Sequence, residues 1–173
     1  MTQADIQGGA PGARGDVAML RLSDLLTSAR VRVPLDSVDK DRTLAELVGL
    51  VVSSEGLEAE GAEIYRAVCE RESVLSTGIG EGVAIPHAKC DALEGLVMAA
   101  GVSREPVEFG ALDGRPVQLF FLILGPEAAA GAQVRLLSRV GRLMRDQSLR
   151  ERLMAAGDAE RFLQILEGAE RAI

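Results

Sequence analysis

Two apolar runs in the second half of the chain, residues 96–102 and 117–124, constrain its fold more than any other feature. The second is broken only by Gln118. Both are far shorter than the roughly 20 residues needed to span a bilayer, so they read as buried strands. Pro106, Gly110, Gly114 and Pro116 stand between them and predict turns, with a short extra strand at 107–109. Segments with helical spacing lie on either side of the pair. That interleaving predicts the α/β class: a single domain with one mixed β-sheet flanked by helices on its faces.

The flanking segments can be read individually. Leu22, Leu25 and Leu26 mark a short first helix, and Val31-Arg32-Val33 alternates like a strand that stops at Pro34. Thr43-Leu44-Ala45-Glu46 has the form of a capping box. Leu44, Leu47, Val48 and Val51 follow at helical spacing, and Gly56 ends that helix. Residues 58–73 read as a second helix burying Ile64, Ala67 and Val68. Towards the C-terminus, Val134, Leu137, Val140, Gly141 and Met144 form one apolar stripe. A second capping box, Ser148-Leu149-Arg150-Glu151, precedes Leu153, Phe162, Ile165 and Leu166. Residues 1–17 have no periodicity and are expected to form a disordered tail before a folded domain at 18–173, for which Met19 is a conceivable alternative start.

Composition removes several function classes. With 26 acidic and 19 basic residues the net charge is −7, which argues against nucleic-acid binding. A hydrophobic share of 47% excludes a disordered acidic chain, and 3% aromatics leave a core of Leu, Val, Ile and Ala. Two cysteines are too few for a disulfide scaffold, and the first residues lack the charge and apolar run of a secretory signal. The expectation is a cytoplasmic protein without direct membrane insertion.

The chain has one histidine, His87, so any imidazole chemistry must use it. It follows the glycine-rich stretch Ser76-Thr77-Gly78-Ile79-Gly80-Glu81-Gly82 and the apolar Val83-Ala84-Ile85-Pro86. Glycines in such a loop can turn several amides toward one oxyanion, and a neutral imidazole beside them is a competent phosphoryl acceptor. Arg71 and Lys89 are the nearest cations in sequence. The competing readings are a structural histidine at a turn and a half-formed metal site of His87, Cys90 and Asp91 with Cys69 as a distant ligand. Arg135, Arg139, Arg142 and Arg145 read either as a solvated helix face or as a docking stripe for an acidic partner.

The segment Arg71-Glu72-Ser73-Val74-Leu75-Ser76-Thr77-Gly78-Ile79-Gly80-Glu81-Gly82-Val83-Ala84-Ile85-Pro86-His87-Ala88-Lys89 resembles the phosphorylation-site segment of enzyme IIA proteins of the bacterial phosphotransferase system, fructose/mannitol class. Its wording is similar to the nitrogen-regulatory branch, and the resemblance extends from about Leu20 to the last helix. It implies that His87 accepts a phosphoryl group from a histidine phosphocarrier protein. It also implies that Arg71 is an active-site arginine and that Ser76, Thr77, Gly78 and Gly80 surround the phosphohistidine. From the residues themselves no metal or cofactor is expected, since the chain offers one half-pair of metal ligands at best. The partner downstream would be a regulated target protein or a sugar permease subunit.

Two positions depart from the pattern. Gln133 stands where family members often carry a second histidine, and a Gln amide donates a hydrogen bond without charge. Glu81 stands where the nitrogen-regulatory branch often has His, adding negative charge beside an incoming phosphate. They motivate an alternative, a phosphorylation-impaired regulatory binding module on the same fold.

Overall fold

The computed structural model describes residues 20–173, so the expected tail at 1–17 lies outside the described residues. The order of elements is α1 (Leu22–Leu25), β1 (Val31–Leu35), α2 (Lys40–Glu55), α3 (Gly61–Val74), β2 (Gly78–Gly80), β3 (Val83–Ala84), β4 (His87–Lys89), β5 (Val97–Val107), β6 (Val117–Gly125), α4 (Ala130–Leu143), α5 (Gln147–Met154) and α6 (Ala159–Arg171). The strands form one mixed sheet in the order β1-β5-β6-β3-β2, with β4 also paired to β6. β5 and β6 are antiparallel, while β1 runs parallel to β5, and β3 and β4 run parallel to β6.

β6 shows why its sequence is almost uniformly apolar. Side chains alternate across a strand, and here both faces are covered by helices. Leu119, Phe121 and Ile123 enter a core shared with α1, α4, α5 and α6. Phe120, Leu122 and Leu124 enter a second core shared with α2 and α3.

Several local expectations are corrected. β1 continues through Pro34 to Leu35: it is an edge strand, and its pairing with β5 shifts register between Arg32 and Leu35, an irregularity at which a proline is tolerated. Of the expected strand at 107–109 only Val107 is in the sheet, as the last residue of β5 paired with Val117, while Glu108 and Phe109 lie in the loop that follows. The helix expected from Thr43 begins at Lys40: Asp39 accepts from the Arg42 amide, while Thr43 Oγ1 donates back to the Asp39 carbonyl at 2.7 Å. Glu46 instead accepts from the amides of Asp36 and Ser37. α5 is likewise capped by Asp146, which accepts from the Leu149 amide, rather than by Ser148. In each case a nearby aspartate, earlier in the chain, supplies the cap.

The α4 stripe is also corrected. Its buried residues are Gln133, Leu136, Val140 and Leu143, whereas Val134 is 61% exposed. Two apolar ridges run side by side on this helix, and spacing alone does not say which one faces the sheet.

Candidate functional site

His87 opens β4, one step beyond the point where Ile85 and Pro86 interrupt the line of β3. Both short strands pair with β6, so the imidazole is carried by the centre of the sheet. Its Nδ1 lies 2.9 Å from the Ile85 carbonyl oxygen. A carbonyl only accepts, so Nδ1 carries the proton in the neutral ring and Nε2 keeps its lone pair. Burial pushes the His87 pKa below the usual histidine value; the bond to Ile85 opposes this, and the Arg71 charge adds to the lowering. The ring is therefore neutral, and nucleophilic, at pH 7.

His87 lines a cleft of about 390 Å³ together with Ala67, Arg71, Lys89, Gln133, Val134 and Leu137, among others. Arg71 comes from the last turn of α3 and donates from Nη1 to the Leu75 carbonyl at 2.9 Å. Lys89 lies two residues beyond His87 and pairs at 3.3 Å with Glu127, both largely solvated. Val134 and Leu137 both line this cleft; Val134 is exposed there, whereas Leu137 is half-buried and also packs against the core, as its place in the expected stripe predicts.

The glycine loop is built differently from an amide nest. Gly78–Gly80 is a strand, β2, paired antiparallel with β3. Glu81 and Gly82, both at positive φ (56° and 78°), form the tight turn between them. The Thr77 amide donates to the buried Glu72 carboxylate at 3.0 Å, and the Gly78 amide donates to Ser76 Oγ at 3.1 Å. Glycine at 78 is required by a close approach: a Cβ there would lie 2.6 Å from the Ala111 Cβ. Among the described residues, Ser76, Thr77, Gly78 and Gly80 do not line the His87 cleft. They shape the segment that leads to it, since the Ile85 amide donates to the Thr77 carbonyl at 3.0 Å.

Two residues that organise this corner carry no signal in the sequence. Glu72, only 6% exposed, pairs with Lys40 Nζ at 3.0 Å, and Lys40 also donates to the Phe109 carbonyl at 2.9 Å. The pair joins α2, α3 and the loop after β5 from positions 32 residues apart.

Gln133 is 4% exposed, and its Nε2 donates to the carbonyls of Ala88 at 2.9 Å and Ile123 at 3.2 Å. With two acceptors facing it, that end of the amide must be the nitrogen. The donor expected for a phosphate is engaged by the backbone. Glu81 lies outside the His87 cleft and pairs with Arg115 and Arg150, each at 3.6 Å. The structure does not gather His87, Cys90 and Asp91 into a site: Cys90 is buried in the core beside α2 and α3, and Asp91 Oδ1 accepts from the Glu127 amide. The arginine stripe is interrupted, because Arg139 turns to the buried Glu170 at 3.0 Å.

The family model for the phosphoenolpyruvate-dependent sugar phosphotransferase system, EIIA 2, matches residues 24–169. The chain belongs to this family. A nitrogen regulatory protein of Pseudomonas aeruginosa is 36% identical over 148 residues, covering 86% of this chain and 96% of that one. The crystal structure of the nitrogen regulatory protein IIA-Ntr from Neisseria meningitidis superposes with a TM-score of 0.76 at 34% identity, covering 83% of this chain and 97% of that chain. IIA mannitol from Escherichia coli shares the fold, with a TM-score of 0.69 at 19% identity and coverage of 82% and 98%. Membership of the EIIA family, with nitrogen regulatory relatives, assigns the chain a phosphocarrier or regulatory role in the phosphotransferase system. Among its described residues no helix is long and apolar enough to cross a membrane.

Proposed function

We propose that His87 Nε2 is the phosphoryl acceptor of this enzyme IIA domain, charged by the phosphohistidine of a histidine phosphocarrier protein. The observation that carries the reading is the 2.9 Å contact of Nδ1 with the Ile85 carbonyl, which leaves Nε2 as the one nucleophilic nitrogen of a ring that lines the cleft. In the transfer, Nε2 bonds to phosphorus as the donor's phosphorus–nitrogen bond breaks, and the donor imidazole leaves with the bonding pair. Arg71 and Lys89 supply positive charge for the phosphoryl oxygens. Ser76, Thr77, Gly78 and Gly80 act one step back, by holding the segment that ends at His87. The phosphorylated state then passes to, or is read by, a regulated target or a sugar permease subunit in the cytoplasm. A dianion added beside Arg71 changes charge and hydrogen bonding at that surface.

Intact-mass spectrometry at alkaline pH tests this. The protein is incubated with phosphoenolpyruvate, the first enzyme of the system and a phosphocarrier. A gain of one phosphoryl mass, absent in His87→Ala, is the expected result. The engagement of Gln133 by two carbonyls favours a second reading, a binding module in which transfer is impaired. No mass gain with a demonstrably charged donor would select that reading.

A further inference from the structure

A second cleft, of about 520 Å³, lies between the hairpin of β2 and β3 and the corner where α4 meets α5. Its walls are Ile79, Gly80 and Glu81 on the hairpin side, with Gly141, Met144, Arg145, Gln147 and Arg150 opposite. Arg150 is 8% exposed, and no buried side-chain nitrogen or oxygen among the described residues lacks a hydrogen-bond partner, so the unbonded donors of this guanidinium reach solvent. Its Nη1 donates to the Met144 carbonyl at 2.6 Å. Its Nη2 reaches Glu81 only at 3.6 Å, beyond hydrogen-bond range, and the Glu81 side chain is 61% exposed. A guanidinium carries five N–H donors, and among the described residues Arg150 has one hydrogen bond. Arg145, exposed on the same wall, has no ion-pair partner among the described residues.

From these contacts we infer that the cleft is a binding site for a small oxyanion, a carboxylate or phosphate held by Arg150 and Arg145. Glu81 already shows that the site accepts a carboxylate, and it is a weak, displaceable one. A half-solvated pair at this distance contributes little. Arg115, 3.6 Å from the same Glu81 oxygen, keeps that carboxylate partnered when an incoming anion displaces it from Arg150. Gln147 is engaged elsewhere, donating to Glu151 at 2.8 Å, so selectivity rests on the two arginines and on the apolar wall of Ile79 and Met144. Arginine presents paired donors that match either anion. This inference is independent of His87, which lines the other cleft.

The test uses the full chain and two probes, inorganic phosphate and citrate, titrated to about 10 mM and followed by amide and arginine Nε–H NMR shifts. The expected result is a saturable change centred on Gly80, Glu81, Arg145 and Arg150 with at least one probe; which probe responds identifies the class. Affinity should fall about tenfold in Arg145→Ala, rise about threefold in Glu81→Gln, and stay unchanged in His87→Ala. Arg150→Lys, which keeps the charge but loses the fork, should also weaken binding. Lack of a saturable shift with both probes would overturn the inference. So would binding indifferent to Arg145→Ala, or binding abolished by His87→Ala, which would move the anion to the phosphorylation cleft.

Discussion

The Nδ1 atom of His87 and the carbonyl oxygen of Ile85 stand 2.9 Å apart across Pro86, a contact between residues two positions apart in the chain. Pro86 has no N–H and a fixed φ, so this short bend is stiff. The ring is thereby oriented by its own strand segment, which leaves Nε2 as the unprotonated nitrogen of a residue that lines the cleft.

A pH dependence follows from the lowered His87 pKa. Burial, the largest cause, disfavours the charged ring, so the folded protein takes up this proton at a lower pH than the unfolded chain does. Above the unfolded value, about 6.5, the ring is neutral in both states and costs nothing. As pH falls below that value the unfolded state binds more protons and stability declines, levelling off once pH is below the folded pKa. Because His87 is the sole histidine, its imidazole NMR signals titrate without overlap. The midpoint should lie below about 6.5, phosphoryl acceptance should fall through the same range, and His87→Ala should flatten that part of the stability profile.

Removing the Glu72 carboxylate should disturb both the loop and the histidine. Glu72→Gln weakens the acceptor for the Thr77 amide and leaves Lys40 without its counter-charge. The expected loss is about 1–3 kcal/mol in urea unfolding. Glu72 also raises the His87 pKa through its charge, so the variant's His87 midpoint should move lower still. An unchanged midpoint would show that the two groups are electrostatically independent.

Gly78→Ala places a methyl 2.6 Å from the Ala111 Cβ and 2.8 Å from its Cα. Overpacking of this kind costs about 1–3 kcal/mol, and the displaced β2 should slow phosphoryl transfer to His87. Adding Ala111→Gly should restore only part of the stability, because the backbone at position 111 still crowds the new methyl. Thermal unfolding of the single and double variants measures the difference.

Glu170 predicts an acid-sensitive lock on the other side of the sheet. Burial pushes its carboxyl pKa up, but hydrogen bonds from Ser23, the Leu22 amide and Arg139 outweigh burial and hold it below the ordinary glutamate value. A depressed carboxylate stabilises the fold above its unfolded pKa, and that stability is lost as pH falls through the folded value. Glu170→Gln should lower stability by about 1–3 kcal/mol at pH 7 and remove part of the decline below about pH 4.5. Chemical denaturation at a series of pH values would register both effects.

Much of the protein is legible in its sequence, for a physical reason. Apolar runs must be buried and helical spacing must face a core, so residues 96–102 and 117–124 by themselves identify the two central strands and the α/β class. His87 stands out because the chain has no other imidazole, and the Arg71–Lys89 segment ties it to its family. These are properties of single residues and of short range along the chain.

Other features depend on where distant segments meet. Asp39 and Asp146 take the caps expected of Thr43 and Ser148, because several polar residues compete at a helix start and only the folded chain selects one. The loop expected to cradle an anion instead turns its Thr77 and Gly78 amides to Glu72 and Ser76. Gln133 bridges the carbonyls of Ala88 and Ile123, and Glu81 faces Arg150 across the second cleft. Hydrogen bonds and ion pairs are directional and short, so residues 45 or 69 positions apart meet only once the sheet and helices have packed. Sequence alone determined the class, the central strands and the identity of the candidate acceptor; tertiary structure decided which polar groups remain free to act.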